Sequence, residues 1–197
     1  MTAPPAAIVS KDTLRAEAMA RRDTITAADR ADASAAIAER VTSLAAVAGA
    51  RSIGAYLPIW SEVETRDILD WAFARDIEVA LPAVIDAMTF VYRRWQKGDA
   101  LLTGRFGTRA PGDDAQVLAP DVIITPMVAF DRRGTRLGHG RGYYDRAVAG
   151  MRAGGHEPLL VGVAFAAQEV ADIPSEPHDI GMHFIVTERE TLALRKG

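Results

Sequence analysis

Residues Arg136 to Arg146 read R-L-G-H-G-R-G-Y-Y-D-R and combine groups that suit a phosphate chain. Gly138, Gly140 and Gly142 alternate with longer residues. Glycine permits positive φ and close backbone approach, so such a run can turn several N–H groups inward as an anion cradle. Arg136, Arg141 and Arg146 add permanent cations suited to phosphate. Tyr143, Tyr144 and Asp145 follow at once. Backbone donors, cations and one carboxylate in so short a span are what a Mg-nucleotide needs. The glycines alone read more simply, as a surface turn ahead of a helix. The pattern is neither G-x-G-x-x-G nor G-x-x-x-x-G-K-[ST], so neither of those nucleotide-binding motifs applies.

Other residues could join this chemistry. Lys11 and Arg15 are spaced i, i+4, one helical turn apart on a shared face. Taken alone they read as a solvated stripe. Glu62 and Glu64 follow the first expected strand, where carboxylates commonly favour a helix N-terminus. Tyr56, Trp60, Trp95 and Phe106 could wall a ring-shaped ligand, although core packing is the commoner fate of any one aromatic. Asp145 reads as a helix-start carboxylate paired with Arg141 or Arg146. His139, His178 and His183 lack metal-ligand spacing and read as surface or loop histidines. No Cys–His, Ser–His–Asp or H-E-x-x-H arrangement is present.

These groups need a scaffold, and 197 residues suffice for one domain with a sizeable core. We expect a loose arm over 1–9 and a single domain over 10–197. Hydrophobic residues at 49% and charged residues at 25% are ordinary for a globular protein. With no cysteine, disulfides and thiolate chemistry are excluded. The start lacks a basic n-region and a long apolar core, and no apolar run has the length of a membrane span. A cytoplasmic protein is therefore expected. A net charge of −3 gives no general attraction to nucleic acid or anionic membrane. The arginines around the glycines form a local positive island better matched to a small anion than to a polyanion.

Periodicity predicts two helices over 10–48, with Thr26 and Asp29 as a capping box and Gly49 as a stop. Buried strands are expected over 52–59, 77–81, 88–95, 121–126 and 159–165, and a short one over 184–186. Helices are expected over 65–75, with Thr65 as cap, and 143–152. Residues 97–114 read as turns, and the glycine loop is expected to leave the carboxyl end of the 121–126 strand. Alternating buried strands and helices argue for an α/β protein with N-terminal helices and a largely parallel sheet. Such sheets bind ligands beyond the carboxyl ends of their strands.

The segment A-F-D-R-R-G-T-R-L-G-H-G-R-G-Y-Y-D-R, 129–146, resembles the signature of the 5-formyltetrahydrofolate cyclo-ligase family. Lys11 and Arg15 match an early K-x-x-x-R. Y-L-P-I-W-S-E-V-E-T at 56–65, I-P-S-E-P-H-D at 173–179 and I-V-T-E at 185–188 follow in the family's order. The resemblance implies a three-layer, Rossmann-like α/β domain that takes ATP and 5-formyltetrahydrofolate as substrates, with Mg²⁺ as cofactor and a monomer as the working form. It assigns ATP binding to Lys11, Arg15, Arg136, Leu137, Gly138, His139, Gly140, Arg141, Gly142, Tyr143 and Tyr144. Catalytic charge falls to Lys11, Arg15, Arg136 and Arg141. Folate contacts fall to Arg15, Leu57, Glu62, Tyr143 and Tyr144, and the metal to Asp145 and Asp179. His183 stands where relatives often carry an acid, which implies a metal site bound somewhat differently. The rival readings are a small-molecule kinase on the same kind of sheet and a non-catalytic folate- or nucleotide-binding relative.

Overall fold

A computed structural model describes residues 9–104, 107–176 and 179–194. All but Val9 of the expected arm, together with Phe106 and His178, lie outside the described residues.

An N-terminal helical segment comes first. Helix α1, Lys11–Asp23, starts at Ser10, whose hydroxyl accepts from Thr13 N–H. Asp12 in its first turn and Arg21 and Arg22 in its last complement the helix dipole. Helix α2, Ala27–Thr42, is capped by Thr26, which accepts from Asp29 N–H at 3.1 Å. The reciprocal half of the expected box differs: Thr26 Oγ1 donates to the Asp29 carboxylate at 2.7 Å. The periodic stretch then breaks, and a separate short helix α3, Ala45–Ala48, follows with Leu44 at its N-cap. Three helices thus occupy the span expected to hold two.

Twelve strands appear among the described residues, eight of them in one sheet. In chain order the strands of that sheet are β1 Ser52–Gly54, β2 Glu78–Val84, β3 Phe90–Arg94, β6 Val117–Leu118, β7 Val122–Pro126, β10 Leu159–Val163, β11 Phe184–Val186 and β12 Thr191–Ala193. Their spatial order is β12-β11-β10-β7-β1-β2-β3-β6. The five central strands, β11 to β2 in that order, run parallel. Antiparallel strands complete both edges. The sheet is mixed but mostly parallel, as expected. Its β12 edge strand was not anticipated, because T-L-A is too short to show a period.

Alternation along the strands divides the core into two layers. Ile53, Val79, Val122, Ile124, Val161 and Val163 face one side. There they meet Ile37, Ala38 and Val41 of α2 and Ile68 and Leu69 of helix α4, Arg66–Phe73. Ala80, Tyr92, Ile123, Leu160 and Ile185 face the other side, against Val148 of helix α5, Tyr143–Ala153. The result is the three-layer arrangement expected. Thr65 does not cap α4 through its side chain, and its hydroxyl donates instead to Tyr56 O at 2.6 Å. That bond fixes the chain leaving β1, whose regular part is only three residues long.

Two hairpins stand apart from the sheet. Strands β4, Leu102–Thr103, and β5, Arg109–Ala110, pair within the segment expected to be turns. Strands β8, Ala129–Phe130, and β9, Arg136–Leu137, pair between β7 and the glycines. Arg136 and Leu137 are therefore strand residues, and the loop proper begins at Gly138.

Candidate active site

A cavity of about 550 Å³ opens where β1, β2 and β7 end. Its wall includes Pro126, which closes β7, Leu57 just after β1, and Pro82 and Val84 late in β2. This is the carboxyl side of the parallel strands, the side on which such sheets bind ligands. Every residue assigned by the resemblance lines this one cavity: Lys11, Arg15, Leu57, Glu62, the run from Arg136 to Asp145, and Asp179.

The glycine loop has the backbone its composition predicts. Gly140 has φ 83° and Gly142 φ 61°, both in the region open to glycine. Gly142 is also the N-cap of α5, and no side chain caps that helix. The positive end of its dipole therefore adjoins the loop, ready for an anion. Helix α1 is locked to the loop from outside. Arg15 Nε donates to Gly138 O at 2.9 Å, and a Cβ placed on Gly140 would lie 3.3 Å from the Arg15 guanidinium carbon.

Cations and carboxylates alternate across the wall. Lys11 Nζ lies 2.8 Å from Asp179 Oδ2 and 3.2 Å from Glu176 Oε1. Burial would lower the Lys11 pKa, but the hydrogen bonds and charges of Asp179 and Glu176 outweigh it and raise the pKa. Arg136 bonds Asp145 Oδ1 at 2.7 Å, and its buried Nε has no hydrogen-bond partner among the described residues. Asp145 pairs with Arg136 rather than with Arg141 or Arg146, because the β8–β9 hairpin brings Arg136 beneath the start of α5. Arg146 turns away, donating to Met88 O and Arg141 O.

Glu62 lines the same cavity and is 7% exposed. Its Oε2 accepts from Ile59 N–H at 3.0 Å, and Oε1 lies 3.4 Å from His139 Nε2. His139, placed between two loop glycines, thereby links the loop to the carboxylate. Arg22, buried at the end of α1, donates to Ser61 Oγ at 2.9 Å and steadies the same turn. Tyr144 is half-buried and lines the same cavity. Burial, with the Glu62 charge next in size, pushes its phenol pKa well up, so it stays protonated at neutral pH. Tyr143 OH reaches Ala87 O at 3.0 Å on the β2–β3 connection.

Several expectations need correcting. Trp95 is no cavity wall, since it packs edge-on to Phe73 in the core. His183 lies at the other end of the sheet, its Nδ1 accepting from Leu160 N–H at 2.8 Å where β10 begins. It joins β10 to β11 and does not line the cavity, so the expected effect on a metal site there has no structural basis. Among the described residues, no group of three His, Asp or Glu side chains could hold a metal by itself. Glu176, Thr108, Arg109 and Phe90 also line the cavity and were missed. Only Glu176 had a signal, three residues before Asp179 in the same loop.

The fold and the cavity define an α/β enzyme with a glycine loop and a buried carboxylate lining one cleft. Residues 7–188 match the sequence profile of the 5-formyltetrahydrofolate cyclo-ligase family, and the chain belongs to that family. It is 27% identical over 180 residues to the 5-formyltetrahydrofolate cyclo-ligase of Haemophilus influenzae, covering 88% of this chain and 95% of that protein. The enzyme of the same name from Mycolicibacterium smegmatis is 33% identical over 155 residues, 74% and 78% of the two chains. The NMR structure of Aquifex aeolicus 5,10-methenyltetrahydrofolate synthetase superposes with a TM-score of 0.81 at 29% identity, covering 95% of this chain and 94% of that one. A 5,10-methenyltetrahydrofolate synthetase from Mycoplasma pneumoniae, 21% identical with a TM-score of 0.73, shares the fold.

Proposed function

We propose that this enzyme uses Mg-ATP to convert 5-formyltetrahydrofolate to 5,10-methenyltetrahydrofolate, releasing ADP and phosphate. The observation that carries the reading is that the glycine loop and the buried carboxylate of Glu62 line one cavity. The cradle suits a triphosphate, and the carboxylate suits the adjacent N–H donors of a pterin.

The formyl oxygen of the substrate is an amide oxygen, a weak nucleophile and a worse leaving group. Transfer of the γ-phosphoryl to it forms an O–P bond as the bond to ADP breaks. N10 then attacks the formyl carbon, forming a C–N bond and losing its proton. The C–O bond breaks, and the formyl oxygen departs within inorganic phosphate. Because N10 belongs to the same molecule, ring closure has the advantage of an intramolecular reaction. No side chain needs to form a covalent bond.

The residues present have roles that follow from their charge. Lys11, Arg15, Arg136 and Arg141 offset charge on the phosphates as it develops. Glu62 orients the pterin, with Leu57 beside it, and Tyr143 and Tyr144 occupy the seam between the two ligands. Asp145 and Asp179 offer hard oxygen donors in the number Mg²⁺ takes when phosphates and water complete its shell. Bound there, the ion would neutralise phosphate charge.

An oxygen label tests the route. With 5-formyltetrahydrofolate carrying ¹⁸O in its formyl group, the label should appear in the released phosphate. Label recovered in water, with unlabelled phosphate, would contradict phosphorylation of the formyl oxygen.

A further inference from the structure

Trp60 adopts a conformation that its own packing does not explain. Its φ is 54°, at the first central position of a turn closed by Glu62 N–H on Ile59 O at 3.2 Å. The following Ser61 has no positive φ, so the turn follows the φ pattern of type II′, where glycine is the usual first central residue. A bulky residue there is strained. Burial does not compensate, because the side chain is 69% exposed, more than any other large hydrophobic among the described residues. The ring touches His139 edge-on, with centroids 5.5 Å apart and planes at 75°. Strain and exposure together hold an indole at the cavity wall, two residues before Glu62. Strain that persists in this way at a cleft points to a ligand.

We propose that Trp60 is an aromatic platform for the p-aminobenzoyl ring of the substrate, an inference that rests on the folate reading of Glu62. A folate carries two ring systems joined through C9 and N10. With the N–H edge of the pterin on the deep Glu62 carboxylate, the second ring lies outward. Trp60 stands on the same turn as Glu62 but at the exposed end of it. An indole face and an aniline ring stack in an offset arrangement that is both apolar and electrostatically matched. His139 braces the indole from one side, which limits the freedom lost on binding. The platform would therefore select for the benzoyl portion of the substrate, and the cradle would remain indifferent to it.

Steady-state kinetics of Trp60→Gly and Trp60→Phe, with thermal unfolding of each, tests this. Trp60→Gly should raise KM for 5-formyltetrahydrofolate about tenfold while KM for ATP moves less than about twofold. Trp60→Phe should recover most of that loss. Because glycine suits the turn, Trp60→Gly should unfold at or above the wild-type midpoint. An unchanged folate KM in Trp60→Gly overturns the platform while leaving the proposed function standing. So does a lowered midpoint with both KM values raised together, which would mark Trp60 as a structural brace. A wild-type chain that binds ATP but never turns over the folate overturns the function and the platform with it.

Discussion

Gly140 stands where the loop approaches Arg15, and both its φ of 83° and the 3.3 Å clearance depend on the missing Cβ. Gly140→Val should raise KM for ATP about tenfold or more, since strain of roughly 1–3 kcal/mol falls on the loop alone. Nucleotide-dependent protection in a thermal shift assay checks this, and wild-type protection would show that the loop is only a turn. Glu62→Gln should act on the other ligand. An amide replaces one acceptor oxygen with an NH₂ donor, so it cannot pair side by side with two adjacent N–H groups, and the loss should be roughly 1.5–3 kcal/mol in folate binding. Steady-state kinetics should show KM for 5-formyltetrahydrofolate rising with that for ATP little changed, and the reverse pattern would contradict the assignment. Much of this detail was legible in the residue types, because glycine spacing and arginine charge are local properties. The partner of Asp145 was not, since Arg136 reaches it only through the β8–β9 hairpin.

That hairpin also has a buried organiser. Asp131 is 0% exposed and accepts from the N–H groups of Arg133, Thr135 and Ile173 at 3.0, 3.0 and 3.2 Å. Arg133 lies across it at 2.9 Å, so the carboxylate ties the hairpin to the loop that leads to Asp179. Asp131→Ala would leave these three N–H donors without their acceptor, at a cost of about 2–4 kcal/mol. For a chain of this size the unfolding midpoint should fall by roughly 10 °C, measured by calorimetry. A shift of a degree or two would mean that the loop holds without it. The long helices and the central parallel strands were legible because their periods repeat over several residues. The hairpins were not: β4, β5, β8 and β9 are two residues each, too short to carry a period. Likewise nothing in the sequence singled out Arg22, which is buried against Ser61 because α1 folds onto the turn of Glu62.

Taken together, α1, the glycine hairpin and the loop of Asp179 close around the carboxyl ends of the sheet, so the proposed phosphate and metal groups line one cavity. Asp145→Asn and Asp179→Asn should each raise the Mg²⁺ needed for half-maximal activity by about tenfold or more, since each removes a charged oxygen donor. His183→Asn should leave that requirement alone and alter the unfolding midpoint instead, because His183 joins β10 and β11 at the far end of the sheet. A Mg²⁺ titration at saturating ATP and folate distinguishes these outcomes, and an unchanged requirement in both Asp variants would remove the metal assignment. The site as a whole was legible through four separated motifs in a fixed order. Their convergence was visible only in the fold.

The central claim is that one cavity couples ATP cleavage to ring closure on a folate. Purified enzyme with Mg-ATP and 5-formyltetrahydrofolate should generate the near-ultraviolet methenyl chromophore, with one phosphate released for each ring closed. Neither product should form when ATP or the folate is omitted. Phosphate release that proceeds at full rate without the folate, or binding of both ligands with no chromophore, would contradict the account.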